Sequence, residues 1–519
     1  MGNLKVAFLT MEMLIGELSE PLRGANFKGG LGILAGDIAR NFKEVGINAM
    51  CFVPFYDRPW FAKDTRLDYN KFGSFPIEIA INGHKFEVNA HKAFCGAQDV
   101  FGLSHPEIFD VLYTDDRQKR LLQEVLLAIV VPRMLKAANF APDVVWLNES
   151  HTALIIPHLK EDPFFARTKI LFTTHTPVQA GMEKFYDYNF DKLELAHQLY
   201  RDAFINNGVL DLTRGAMVLS DAVNAVSEEH REVTKRMFSG FADKITGIRN
   251  GSDARFWTHK STSYLVNRKI IIELDDLMEI HAQARGEVLA LANKLSGLAL
   301  SEKKPTAWFV RRFAGYKNLY PMLEPILPAI CAERGSYVNT NLGVLEGLGM
   351  QIVGAGVAPE TDGYCLGWMS EFTRLARDVF QGRFAFIPQY TTELLQAGAW
   401  GSDVWLATPE PGLEACGTSD QRAILNGIPV ITSRTGGPME YLEEFNPESA
   451  NGCGFFIDPY NSRTLYEKLR IFSSLWYAWK EQGDERYPTL KLNAFGKRHE
   501  LDIVTCLEKY KQLMFSTAR

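Results

Sequence analysis

Short apolar runs alternating with amphipathic helical stretches constrain this chain more than any other feature. Lys5–Thr10 reads as a buried strand. Leu31, Leu34, Ala35, Ile38, Ala39, Phe42 and Val45 then share one helical stripe, which Gly46 ends. Asn48–Val53, Val144–Leu147 and Ile170–Thr174 repeat the strand signal, and a charged helical stretch covers Leu274–Leu298. Trp308–Val310, Gln351–Gly354, Phe384–Ile387, Val404–Ala407 and Val430–Thr432 then resume the alternation. Strands this apolar must be covered on both faces, so the pattern predicts an α/β fold built on parallel sheets. Ligands of such sheets bind beyond the carboxyl ends of the strands, which directs attention to the loops there.

At 519 residues the chain exceeds one ordinary core and predicts two sizeable domains. The polar stretch from Asn250 to Ser263, with its Asn250-Gly251 turn signal, sets the boundary near residue 260. This gives an N-terminal domain over 1–260, a C-terminal domain over 261–490, and a terminal segment over 491–519 with one helix from Leu490 to Met514. Net charge is −6, which lacks the basic excess of a nucleic-acid binder. Any anion site must therefore be a local concentration of positive charge. Seven widely spaced cysteines, with no C-x-x-C pair, argue against a disulfide framework or a metal cage and for a reducing compartment. The Met1–Leu9 run is short, lacks a basic leader and reads as a first core strand. No apolar run has transmembrane length. The expectation is a cytoplasmic protein without membrane or nucleic-acid partners, and a homo-oligomer is compatible with it.

Four loops carry candidate chemistry. Lys28-Gly29-Gly30-Leu31-Gly32 leads into the first helix, where backbone amides can approach an anion and the helix start adds positive potential; a packing turn explains the glycines equally well. Gly30 to Ala35 also matches a dinucleotide fingerprint, but that motif needs a strand directly before its first glycine, and here the strand ends near Thr10. Arg311-Arg312-Phe313-Ala314-Gly315-Tyr316-Lys317 follows a strand directly and can clamp a phosphate through fixed cations. Pro321, Pro325 and Pro328 should shorten or kink the helix after it. Glu414 precedes a short helix that Thr418 or Ser419 can cap, with Arg422 on its first turns. Asn148-Glu149-Ser150-His151 and His175-Thr176-Pro177 each follow an apolar strand, and no third ligand stands at a usual zinc spacing.

With these loops in place, the chain resembles the α-glucan phosphorylase and glycogen (starch) synthase superfamily. The matching stretches run from Val6 to about Gly454. They are Gly29 to Asp37, Leu147 to His151, Phe172 to Pro177, Val223 to Ser227, Asn250-Gly251 with Trp257, Arg311 to Lys317, and Asp403 to Leu406 before Leu413-Glu414-Ala415. The resemblance implies a GT-B architecture: two Rossmann-like domains with parallel sheets facing a central cleft, a last helix returning to the first domain, and retention of the α configuration. It also implies that Arg312 and Lys317 hold phosphate, Glu414 binds the transferred sugar and Gly30 meets phosphate through its backbone. His175 would sit beside the reacting sugar, with Glu149, His151 and Asn250 lining its pocket.

Two departures matter. Phosphorylases carry a lysine, bound to pyridoxal phosphate as a Schiff base, where this chain has Arg422. A guanidinium stays protonated and forms no such imine, so no cofactor is expected. Thr435-Gly436-Gly437 resembles the synthase turn that approaches the donor, whereas the synthase lysine two residues before the paired glycines is Phe27 here, with Lys28 displaced by one. The leading expectation is transfer of glucose from ADP- or UDP-glucose to an α-glucan or related acceptor. A phosphorylase that forms glucose 1-phosphate, and an inactive glucan-binding homologue, are the alternatives.

Overall fold

The computed structural model describes residues 4–60, 64–81, 83–186, 198–268 and 270–518; the first three residues of the N-terminal run lie outside the described residues. The chain forms two compact units, Met1–Asp253 with Ile503–Arg519, and Ala254–Asp502. Residue 260, the expected boundary, opens a helix of the second unit, Lys260–Asn267. The single expected terminal helix is three: Arg486–Gly496, Arg498–Leu501 and Ile503–Ala518. Gly496 weakens the helix locally, and Asp502 takes extended backbone (ψ 136°), which separates the last helix from the others.

The first unit is built on a nine-stranded sheet. Its strands are β1 (Leu4–Leu9), β2 (Ile47–Pro54), β3 (Ser74–Ile81), β4 (His84–Cys95), β5 (Gln98–Ser104), β6 (Val144–Asn148) and β7 (Lys169–Thr174). β8 (Lys184–Phe185), β9 (Ile205–Asn206) and β10 (Val209–Asp211) form a small separate sheet, and β11 (Ala222–Ala225) and β12 (Ile245–Gly247) complete the large one. The order is β12-β11-β7-β6-β1-β2-β5-β4-β3. Pairing is parallel from β12 to β5, and antiparallel for β5 with β4 and β4 with β3. The helices Gly30–Asn41 and Ile503–Ala518 contribute to one apolar core, around Phe8, Phe42 and Trp146. The helix Arg117–Ala137 contributes to the other, around Phe52, Leu103 and Leu147.

The second unit carries a six-stranded parallel sheet and a hairpin. Its strands are β13 (Thr306–Arg312), the hairpin β14 (Tyr337–Thr340) and β15 (Gly343–Glu346), then β16 (Gln351–Val357), β17 (Phe384–Ile387), β18 (Val404–Ala407), β19 (Val430–Ser433) and β20 (Gly454–Ile457). The sheet order is β17-β16-β13-β18-β19-β20. The three prolines after β13 act as expected: the segment breaks into Leu319–Leu323, a 3₁₀ turn Glu324–Ile326, and Leu327–Cys331. No helix of the described residues is long and apolar enough to cross a membrane.

Each sheet has a topological switch point, where the winding reverses and the loops after two neighbouring strands diverge to leave a crevice. In the first unit it lies between β1 and β6, and in the second between β13 and β18. The candidate loops fall at these points.

Candidate functional site

In the second unit the loops after β13 and β18 are knitted together. Glu410 donates its amide to the Tyr316 carbonyl at 2.8 Å, and Thr408 Oγ1 donates to the Lys317 carbonyl at 3.0 Å. Lys317 Nζ forms an ion pair with Glu414. Burial works against the lysine's charge, but Glu414 beside it raises its pKa. The Thr435-Gly436-Gly437 turn closes on the same loop. Gly436 has φ +62°, and a Cβ there would lie 2.6 Å from the Glu414 carbonyl oxygen, so only glycine fits. Thr435 Oγ1 accepts from the Gly412 amide at 2.9 Å.

The arginine that joins this pair is Arg311. It is 7% exposed, and its Nε and Nη1 have no hydrogen-bond partner among the described residues. Burial lowers its pKa, opposed by Glu414, Tyr316, Asp420 and Tyr390 around it, and its own charge works against that of Lys317. The two carboxylates nearest in charge are engaged elsewhere, Glu414 with Lys317 and Asp420 with the Tyr441 hydroxyl. A buried guanidinium left this way is costly until an anion completes it. Arg312 is only partly buried, and its charge registers on Cys365 in the helix Gly363–Arg374. The resemblance assigns phosphate to Arg312; burial, visible only in the fold, singles out its neighbour Arg311.

The short helix after this loop, Ser419–Ile424, is buried rather than a surface helix, and Thr418 at its N-cap makes no side-chain capping bond. Arg422 is 3% exposed, with its guanidinium 4.6 Å over the Trp257 ring. Asn426, one turn on, accepts from the His259 amide at 2.8 Å and donates to the Trp257 carbonyl at 3.0 Å.

In the first unit the loops after β6 and β7 converge on Glu149. Its carboxylate accepts from the Ser150 amide (2.8 Å), the His175 amide (2.8 Å) and Thr176 Oγ1 (3.1 Å). Glu149 holds φ +75° and ψ 160°, a region nearly restricted to glycine, so this backbone carries strain of the kind found at functional sites. His175 Nε2 contacts Asn148 Oδ1 at 2.8 Å, and Asn148 donates to Thr10 Oγ1 at 3.1 Å, across the switch point. Burial pushes the His175 imidazole down to about 4, so it is neutral at physiological pH. Asn250 is buried, its amide bonded to the Val226 carbonyl at 3.3 Å.

His151 lies against a buried charge cluster. Glu124, His151 and Glu183 place potential metal-ligand atoms within 4.8 Å of one another. These partners come from distant elements, which is why no ligand spacing announces them. A cation already stands there: Arg120 Nη2 contacts His151 Nε2 at 3.0 Å and pairs with Glu183. Burial disfavours the Glu183 carboxylate, yet His151, Arg120 and Arg117 hold it down to about 2. Glu124, with no such hydrogen bond, is pushed well up by burial.

Lys28, Gly29 and Gly30 lie at the other side of this switch point. The Lys28 and Gly29 amides are taken by the Glu12 carboxylate, at 2.7 and 3.2 Å. Gly30 is exposed, with open space where a side chain would stand.

Two Rossmann-like α/β units, each with its candidate residues at the carboxyl end of a parallel sheet, make up the GT-B fold. Residues 5–246 match the starch synthase catalytic domain family. The chain is 28% identical to a maltodextrin phosphorylase of Thermococcus litoralis, covering 91% of this chain and 64% of that protein. It is 24% identical to a glycogen synthase of Geotalea daltonii, covering 85% of this chain and 87% of the relative. The fold matches the catalytic domain of starch synthase IV from Arabidopsis thaliana bound to ADP and acarbose, with a TM-score of 0.76, 16% identity and full coverage of both chains. The chain is thus similar to glycogen and starch synthases and to α-glucan phosphorylases.

Proposed function

We propose that this chain is a retaining glucosyltransferase that takes glucose from ADP- or UDP-glucose and adds it to an α-glucan. The observation that carries this reading is the buried Arg311 guanidinium, lacking partners for Nε and Nη1, beside the Lys317–Glu414 pair at the second unit's switch point. In the transfer, the bond between the sugar C1 and the diphosphate oxygen breaks and its electron pair leaves with the diphosphate. An acceptor hydroxyl oxygen forms the new bond to C1, and its proton passes to the departing phosphate. Fixed cations lower the cost of the negative charge that develops on the leaving oxygen, the role assigned to Arg311, Arg312 and Lys317. Glu414, released from Lys317 when phosphate takes the ammonium, accepts hydrogen bonds from the sugar hydroxyls. In the first unit, neutral His175 and the strained Glu149 loop are assigned to sugar binding. The co-bound ADP and acarbose of the plant neighbour support a nucleotide and a glucan as ligands.

The residues do not fit pyridoxal phosphate bound as an imine. Arg422 stands where the lysine would be needed, fully protonated and stacked on Trp257. The reaction is therefore derived without that cofactor. The phosphorylase relative keeps a second reading open, phosphorolysis of glucan to glucose 1-phosphate.

The test supplies purified chain with maltoheptaose and ADP- or UDP-glucose. Expected are nucleoside diphosphate release and lengthened glucan, with Arg311→Met or Lys317→Met lowering kcat/KM about 100-fold or more. If no nucleotide sugar is consumed while inorganic phosphate and glucan yield glucose 1-phosphate, the phosphorylase reading replaces this one.

A further inference from the structure

One phenol hydroxyl in the second unit joins three loops. Tyr460 follows β20, and its hydroxyl donates to the Thr408 carbonyl at 2.8 Å and accepts from Asn318 Nδ2 at 2.9 Å. Thr408 stands just after β18 and is fully buried. Asn318 ends the 3₁₀ turn Gly315–Lys317 that follows β13. Thr408 Oγ1 also donates to the Lys317 carbonyl at 3.0 Å. Lys317 is thus held on both sides: its own carbonyl by Thr408, and the side chain of the next residue by Tyr460.

Tyr460 is fixed in its turn. The residue after it, Asn461, caps the long helix Ser462–Gln482, accepting from the Thr464 amide at 2.9 Å. Asn318 takes part at the expense of its own helix. It stands at the N-cap of Leu319–Leu323, where an asparagine side chain ordinarily accepts from an amide of the first turn, and it makes no such bond. Its side-chain amide goes to Tyr460 instead. Burial and Glu410 push the Tyr460 hydroxyl up, and the Asn318 bond and the Arg311 charge oppose them, so the phenol keeps its proton and Arg311 is near enough to be felt. What marks a ligand here is Arg311 itself, buried beside Lys317 with no hydrogen-bond partner for Nε or Nη1 among the described residues.

We propose that Tyr460 is a positioning residue for Lys317. Its hydroxyl locks the turn after β13 to the loop after β18, so the ammonium is in place before the leaving diphosphate arrives beside Arg311. On an unlocked turn the lysine would have to be ordered at each binding event, which weakens its hold on the anion. This role rests on the transferase reading in naming the diphosphate.

A double-mutant cycle on the full chain tests it, read by phosphorus NMR titration with ADP and with inorganic phosphate, which follows affinities into the millimolar range. Tyr460→Phe keeps the ring and removes both hydrogen bonds, so the anions should bind about 5–10-fold more weakly. In the Lys317→Met background the same change should alter affinity by less than about 2-fold, because the group it positions is gone. Thr408→Val removes the other hold on the turn and should weaken binding as Tyr460→Phe does, whereas Thr408→Ser keeps the hydroxyl and should bind like wild type. If Tyr460→Phe does not fold, the two Thr408 variants carry the same cycle. Unchanged anion affinity in Tyr460→Phe, or an equal loss with and without Lys317, overturns the proposal. If the cycle is non-additive but the wild type turns over no nucleotide sugar, the transferase reading falls and this one stands. If the wild type turns over a nucleotide sugar and the cycle is additive, the reverse holds. If the wild type binds neither anion, both fall.

Discussion

Lys491 is wholly buried in the helix Arg486–Gly496, and its Nζ has no hydrogen-bond partner among the described residues. It faces Asp403, whose carboxylate is already filled by the Thr306 amide (2.8 Å), Arg285 Nε (2.9 Å), the Tyr487 hydroxyl (3.1 Å), and His281 and Trp476 ring nitrogens (both 3.2 Å). Burial pushes the Lys491 ammonium down to about 7, with Asp403 opposing and Arg285 assisting. The unfolded chain holds this proton up to about 10.5, so between pH 7 and 10.5 this group binds its proton more in the unfolded than in the folded chain, and its own contribution to stability rises with pH. At or below pH 7 the folded state bears the whole cost, roughly 3–5 kcal/mol. Lys491→Met should therefore raise stability at pH 7 by about 2–4 kcal/mol and remove that part of the slope. Urea unfolding of both proteins across this range checks it, and a parallel pair of curves would refute it. His281, held near 4 by burial, stays neutral throughout this window and does not confuse the reading. Nothing in the sequence marks Lys491, because a lysine in a helix reads as surface. The same blindness applies to Arg311 and Arg312. Two adjacent arginines at a strand end are equivalent on paper, and the fold buries one against Glu414 and leaves the other half out. Glu414, Lys317, Glu149 and His175 were legible because each stands just after an apolar strand.

Helices pack closely only where a small residue allows it. Gly401 ends the helix Thr392–Gly401 against the long helix Leu274–Ser296. A Cβ on Gly401 would lie 2.5 Å from the Ala284 carbonyl oxygen and 2.8 Å from the Arg285 nitrogen, both backbone atoms that cannot turn aside. Gly401→Ala should cost about 2 kcal/mol or more through forced separation of the helices. Gly286, inside the long helix, has open space at the same position. Gly286→Ala should instead stabilise by about 0.5–1 kcal/mol through helix propensity. Opposite signs in denaturant titrations are the expected result, and equal signs would show that contact at Gly401 is not limiting. Most of the parallel strands and the long helix were readable because apolar run and length agreed, whereas β5, β11 and β12 were not read as strands. The β3–β4 pair was missed although Asn82-Gly83 between two alternating runs is a strong hairpin signal; attention to the strand–helix alternation hid a period-2 segment. β20, Gly454–Ile457, was missed although it is as short and as buried as β17 and β18, which were read; it opens on a glycine, which reads as loop.

At the scale of the whole molecule, the chain enters its second unit at residue 254 and returns to the first at residue 503. The core of the first unit is completed by the helix Ile503–Ala518. Leu507 and Met514 are fully buried, and the Tyr510 ring lies 4.3 Å from Trp146. The Tyr510 hydroxyl accepts from Asn224 Nδ2 at 2.6 Å, and the Ile503 amide bonds the Ser252 carbonyl at 2.9 Å. Burial of the Ile503, Leu507, Tyr510 and Met514 side chains contributes on the order of 6–10 kcal/mol, comparable with the whole stability of an ordinary domain. Removing residues 503–519 should therefore unfold the first unit and spare the second, whose sheet and Asp403 network lie wholly within 254–502. Limited proteolysis should then cut freely within residues 4–253 and leave 254–502 protected. Tyr510→Phe is the graded form: it keeps the ring on Trp146 but strands the buried Asn224 amide, at about 1–2 kcal/mol. A truncated chain that melts and digests like the full one would mean the first unit's core closes without its last helix. A loss of protection in both units would mean that they unfold as one.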